Sequence, residues 1–155
     1  LYLKGIINFN DDLGMFSFLT RQDLAERDQK AAKESFEAFK ELVTAYPASR
    51  YAPDATARMT FIVNSLAQYE VHVARYYYNR GAYVAAINRA QVTVADYQGV
   101  PALEEALHLI VQSYEALGLT QLRDDSRRVL EKTYPQSVYL TQGFKSASEP
   151  WWKFW

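Results

Sequence analysis

The sequence predicts an all-α protein made of stacked helical hairpins, and three observations carry that reading. Apolar residues recur at steps of three and four through five successive stretches. Proline and glycine fall at the ends of those stretches, where helices start and stop. A six-residue stop then occurs twice, as Tyr46-Pro47-Ala48-Ser49-Arg50-Tyr51 and as Tyr134-Pro135-Gln136-Ser137-Val138-Tyr139. Tyr97-Gln98-Gly99-Val100-Pro101 is a degenerate version between them. Self-similarity at a spacing of a few tens of residues marks a stacked repeat, and such stacks build binding surfaces more often than active sites.

Taken in order, the chain opens with a short apolar segment, residues 1–9, that reads as the end of a preceding helix. Residues 10–27 read as a loop carrying its own aromatics, Phe16 and Phe18. Helical repeats are expected over residues 28–139, with Asp28 as the first N-cap. The first series is Ala32, Phe36, Phe39, Val43 and Tyr46. From Asp54 to about Asn79, Ala55, Met59, Ile62, Leu66, Tyr69, Val73 and Tyr76 keep the same rhythm in one long helix. Burying both faces of that helix would tie together the two units it belongs to. Tyr83, Ile87, Ala90, Val94 and Tyr97 follow, then Leu103, Leu107, Ile110, Tyr114 and Leu117. Leu122, Ser126, Leu130 and Thr133 form the weakest series. Pro53 and Pro101 suit first helical positions, where a missing N–H costs nothing, and acids follow each of them. Gly81 and Gly118 stand where a left-handed cap needs a residue without a Cβ. Loops this short make sequential helices antiparallel. Residues 140–155 break the series and end in Trp151-Trp152-Lys153-Phe154-Trp155. That tail divides between a cap over the last repeat and a segment for a partner groove or membrane interface.

At 155 residues the chain is one domain or one piece of a longer solenoid, large enough to bury a core without staples. A formal charge of −1 argues against nucleic acid. With no cysteine, neither disulfides nor thiolate metal sites are available. The cluster Arg123-Asp124-Asp125-Ser126-Arg127-Arg128 mixes both signs within a turn and reads as a wet helix face. Because the chain starts at Leu1, it reads as part of a longer protein, and the lack of a leader says nothing about targeting.

Catalytic signals fail one after another. Asn8, Asn10 and Asp12 imitate the start of a calcium loop, but Leu13 replaces the turn glycine and Leu19 the closing glutamate. His72 and His108 sit on separate helices without a ligand at metal spacing, and read as half-buried or surface residues. Glu104-Glu105 and Asp124-Asp125 diverge around their helices and cannot share a proton. No phosphate loop or nucleophile elbow is present. The expectation is no enzyme, no cofactor and no metal.

The stretch from Tyr69 to Arg89 is different. Tyr76, Tyr77 and Tyr78 are successive, and successive helical residues point about 100° apart, so at least one must face outward. Arg80 and Arg89 bracket the turn that follows. Tyr and Arg are the residues enriched at interface hot spots, which makes Arg89, Arg80, Tyr77 and Tyr78 the candidate partner-binding set. Ordinary surface tyrosines and helix-end arginines are the competing interpretation.

Helical hairpins that end in Tyr-Pro-x-Ser-x-Tyr, followed by Ala52-Pro53-Asp54-Ala55, resemble the tetratricopeptide repeats of bacterial envelope proteins. The pattern Val73-Ala74-x-Tyr76-Tyr77-x-x-Arg80-Gly81-Ala82-Tyr83-Val84-Ala85-Ala86-x-Asn88-Arg89 resembles the ComL/YfiO (BamD) family more specifically. The likeness runs from about Leu1 to Tyr134. It implies a tetratricopeptide-like solenoid acting as a scaffold of outer-membrane β-barrel assembly, on the periplasmic face of the outer membrane. Membrane contact would come only through a lipidated N-terminal cysteine that this chain lacks. The implied partners are POTRA domains of the central barrel protein, accessory lipoproteins and unfolded outer-membrane protein segments. The resemblance also implies that Arg89 meets the barrel-proximal POTRA domain. Two rivals remain: another periplasmic adaptor, coordinating cell-wall synthesis with division, and a helical lytic transglycosylase, which would need a compact catalytic domain not visible here.

Overall fold

The computed structural model describes residues 1–9 and 23–142, and within them every regular element is a helix. Seven helices run in order among the described residues: α1 Tyr2–Asn8, α2 Asp23–Ala45, α3 Ala52–Asn79, α4 Tyr83–Asp96, α5 Ala102–Ala116, α6 Thr120–Thr133 and α7 Val138–Gln142. The chain divides into two compact units, Leu1–Tyr69 and Glu70–Trp155, and α3 contributes residues to each. The calcium-like residues Asn10 and Asp12 and the Trp-rich end lie outside the described residues.

In the first unit α1 packs on α2 at very short range. A Cβ built on Gly5 would overlap the ring of Phe39, which is fully buried, so glycine is what permits this approach. Ser35 Oγ donates to the Gly5 carbonyl at 2.8 Å across the same contact. Tyr2 stacks on Tyr51 at 4.5 Å and donates its hydroxyl to Asp54 at 2.7 Å. Arg58 Nε donates to the same carboxylate at 2.8 Å, and these two bonds, Arg58's first, hold Asp54 below the usual carboxylate range. Phe9 meets the Phe61 ring at a tilt, 5.8 Å away, and carries the Arg58 guanidinium 4.6 Å over its centroid.

The second unit packs the C-terminal part of α3, α4, α5 and α6. Val71 and Ala74 of α3, Ala90 of α4, and Ala106, Leu109 and Ile110 of α5 form its centre. Alanine at three of these six positions lets the helix backbones come close, because no side chain holds them apart.

The two copies of the six-residue stop have the same hydrogen-bond pattern. In each, the first tyrosine's N–H donates back to a buried leucine carbonyl, Tyr46 to Leu42 and Tyr134 to Leu130, both at 2.8 Å. The serine N–H then donates to that tyrosine's carbonyl at 3.0 Å in both. The second tyrosine's N–H donates to the serine Oγ, at 3.3 Å in Tyr51 and 3.2 Å in Tyr139. That serine hydroxyl turns the chain from one helix into the next. Each second tyrosine also stacks on a ring from another helix, Tyr51 on Tyr2 and Tyr139 on His108 at 4.7 Å.

Several boundaries differ from expectation. α2 starts at Asp23, so Asp28 lies inside a helix and is no N-cap, and residues 23–27 of the stretch expected as a loop are helical. Residues 23–27, Asp-Leu-Ala-Glu-Arg, hold no breaker and propagate the helix backward. Pro53 is the second residue of α3, and Pro101 is the N-cap of α5 with φ −58°. Residues 140–142 complete α7 and do not belong to the tail. Tyr46, Tyr69, Tyr76, Leu117 and Leu122 follow the apolar rhythm yet are exposed. Their neighbours stop short of them, since a periodic face is buried only as far as a second helix covers it.

Candidate functional site

The α3–α4 turn is held by backbone chemistry that only one residue there can supply. Gly81 adopts φ +74°, its N–H donates to the Tyr78 carbonyl at 2.9 Å, and the Ala82 N–H donates to the Tyr77 carbonyl at 3.0 Å. This paired cap closes α3 and starts α4 two residues later, fixing the side chains on either side of the turn. The α5–α6 turn repeats it, with Gly118 donating to Glu115 at 3.0 Å and Leu119 to Tyr114 at 3.0 Å.

The three tyrosines separate as their 100° spacing requires. Tyr78 packs against the buried cluster of the second unit and meets the Tyr83 ring edge-on at 5.5 Å. Burial, and then the neighbouring Tyr83 and Glu115, raises its phenol above the ordinary tyrosine value. Tyr77 is half-buried and makes an edge contact with Tyr76 at 5.8 Å. Tyr76 is the outward one, 51% exposed, with the Arg80 guanidinium 5.0 Å above its ring. Residues 76 and 80 are one helical turn apart, so this cation–π pair lies along the end of α3.

Arg89 reaches from α4 back to α3. Its Nη1 donates to Glu70 Oε2 at 3.2 Å, and the two side chains are 47% and 9% exposed respectively. The acid is therefore sheltered while the guanidinium keeps part of its donor fork in solvent. Arg75 makes a second cross-helix pair, its Nε donating to Glu105 at 2.6 Å. Of the four expected residues, the structure puts Arg80 with Tyr76, Arg89 with Glu70, and Tyr78 partly buried against the core; Tyr77 stands on the α3 face of Glu70, seven residues on. Glu70 and Tyr76 were not among the expected residues. Tyr76 was legible as the partner one turn before Arg80, whereas nothing local links Glu70 to Arg89.

A cleft of about 320 Å³ elsewhere in this unit is lined by His108, Gln112, Glu115, Arg123, Arg127 and Tyr139, among others. His108, expected at a half-buried or surface position, is 2% exposed. Desolvation lowers its pKa to about 4, so the imidazole is neutral at physiological pH. His72 is exposed. Among the described residues no cluster of His, Cys, Asp or Glu could hold a metal, and no helix is long and apolar enough to cross a membrane.

The chain matches the family model described as YfiO, outer membrane lipoprotein, over residues 1–130. The outer membrane protein assembly factor BamD of Neisseria meningitidis serogroup A is 46% identical over 155 residues, which is 100% of this chain and 58% of that protein. BamD of Xylella fastidiosa is 37% identical over 139 residues, covering 90% of this chain and 47% of the relative. BamD of Vibrio cholerae is 34% identical over 131 residues, covering 84% and 54%. The chain thus spans about half the length of these relatives.

Proposed function

This chain belongs to the YfiO outer membrane lipoprotein family, and on that basis we propose that it is a non-enzymatic scaffold of outer-membrane β-barrel protein assembly. It works at the periplasmic face of the outer membrane, where an N-terminal lipid anchor on the full-length protein holds it. It binds POTRA domains of the central barrel protein through the α3–α4 turn, and accessory lipoproteins elsewhere on its surface. The observation that carries this reading is a family match over residues 1–130 that takes in the whole turn.

The geometry supports a docking role. The paired cap at Gly81 fixes the turn, so little ordering is lost on binding. Tyr76 and Arg80 present an aromatic ring and a cation already stacked on one another. Arg89 is held by a sheltered acid yet remains half-exposed, so a partner carboxylate can share its planar fork.

Calorimetry with isolated POTRA domains tests this, alongside Arg89→Ala and Arg80→Ala variants whose helicity has been checked. The expected result is saturable binding that Arg89→Ala weakens at least tenfold, about 1.4 kcal/mol. Binding indifferent to both substitutions would move the interface off the turn. Absence of binding would favour a different periplasmic adaptor, or place the contact in the part of the relatives that this chain does not span.

A further inference from the structure

Glu70 is an acid where α3 is otherwise apolar and packed. Ala67 before it and Val71 and Ala74 after it are buried, and so is Glu70 itself. A carboxylate at such a position costs desolvation, and an apolar side chain of similar volume would serve stability as well or better. Its counter-ion is Arg89, next in sequence to Ala90, which belongs with Val71 and Ala74 to the centre of the unit. The pair therefore lies along the packed α3–α4 contact and not on the turn. Tyr97, at the end of α4, also feels this carboxylate. Burial first, then Glu70 and Asp96, raises its phenol above the ordinary tyrosine value, so it stays neutral and cannot replace Arg89 as the counter-ion.

The pair uses one corner of the guanidinium. Nη1 donates to Glu70 Oε2, while the arginine side chain is 47% exposed. A guanidinium carries its N–H donors in a fixed planar fork, so a group held at one corner presents the others in a set direction. An unheld arginine searches many rotamers and loses that freedom when a partner arrives.

We propose that Glu70 is a positioning residue of the docking site: it holds Arg89 as a bridge between two carboxylates, its own and one on the partner. The inference rests on the reading above that Arg89 meets the partner, and it adds the residue that aims it. The two acids engage different edges of the guanidinium, with its positive charge between them, so their repulsion is offset. Lysine cannot take this role, because a single ammonium drawn to the sheltered acid has no second edge to offer. Arg89→Ala, in turn, strips a sheltered acid of its cation, so part of any loss in that variant comes from the orphaned charge.

Two measurements test this. Nitrogen–proton NMR of the arginine Nε–H groups, with the Arg89 signal assigned by Arg89→Lys, reads positioning in the free chain. The expected result is a restrained Arg89 side chain that becomes mobile in Glu70→Gln, at unchanged helicity. Calorimetry with isolated POTRA domains then reads docking. Glu70→Gln should weaken binding by about two- to tenfold, the cost of ordering one long side chain again. Arg89→Lys should bind nearly as weakly as Arg89→Ala, and adding Glu70→Gln to Arg89→Ala should weaken binding no further. An Arg89 side chain as mobile in the unsubstituted chain as in Glu70→Gln overturns the proposal, whatever Arg89→Ala does to binding. Tighter binding by Glu70→Gln also overturns it, since Glu70 would then compete with the partner for Arg89. So does full binding by Arg89→Lys, or an equal loss from Glu70→Gln with and without Arg89. Binding indifferent to Arg89→Ala is a separate failure: it removes the docking site itself, and this role of Glu70 with it.

Discussion

His108 pairs an almost complete loss of solvent with a neutral ring stacked on Tyr139. Its folded pKa of about 4 lies below the ordinary 6.5, so between those values the unfolded chain binds the extra proton and the folded one does not. The stability it confers is complete above pH 6.5 and drains away as the pH falls toward 4, by on the order of 3 kcal/mol in total. His108→Phe keeps an aromatic ring against Tyr139 and removes the titration. Urea midpoints measured from pH 7 to pH 4.5 should therefore fall less steeply in the variant, and an unchanged slope would assign the acid sensitivity to other groups. Gly5 is limiting in a different way. Gly5→Ala pushes a methyl group into the buried Phe39 ring and should cost about 1–3 kcal/mol, read from the same denaturation midpoints. A neutral result would mean that α1 moves off α2 without loss.

Helix ends show how one local motif serves two sites. Both six-residue stops use a serine hydroxyl to receive the N–H of the second tyrosine, but Ser137 is buried and Ser49 is not. Removing a buried acceptor leaves a donor without its bond and without water to replace it. Ser137→Ala should thus cost about 1–2 kcal/mol, and Ser49→Ala less, by thermal or urea unfolding. Equal effects would show that the turns rest on their backbone bonds alone. Gly81→Ala puts a Cβ on a backbone at φ +74° with open space around it, so its cost is conformational, about 1 kcal/mol. Because that cap positions Arg80 and Ala82, the same substitution should also weaken partner binding beyond what stability explains.

The chain as a whole carries a charge of only −1, so any electrostatic attraction to a partner comes from local groups and not from a general field. If Arg89 meets a partner acid, POTRA affinity should weaken with rising salt, and Arg89→Ala should flatten that dependence; parallel salt curves would count against the contact. Helix class, the number and order of the long helices, their glycine caps and the repeated stops were all legible in the chain, and family membership followed from the Tyr69–Arg89 pattern. Each of these depends on residues within one or two turns of each other, and the backbone bonds of a helix connect positions only four apart. The pairing of Arg89 with Glu70, nineteen residues away, was not legible. Nor were the inward turn of Tyr78, the burial of His108 and the exposure of Leu122. Periodicity says which residues share a face, but it does not say which faces a neighbouring helix covers. That is decided by how closely α3, α4 and α5 cross over Ala74, Ala90 and Ala106, a distance set only when the helices are packed together.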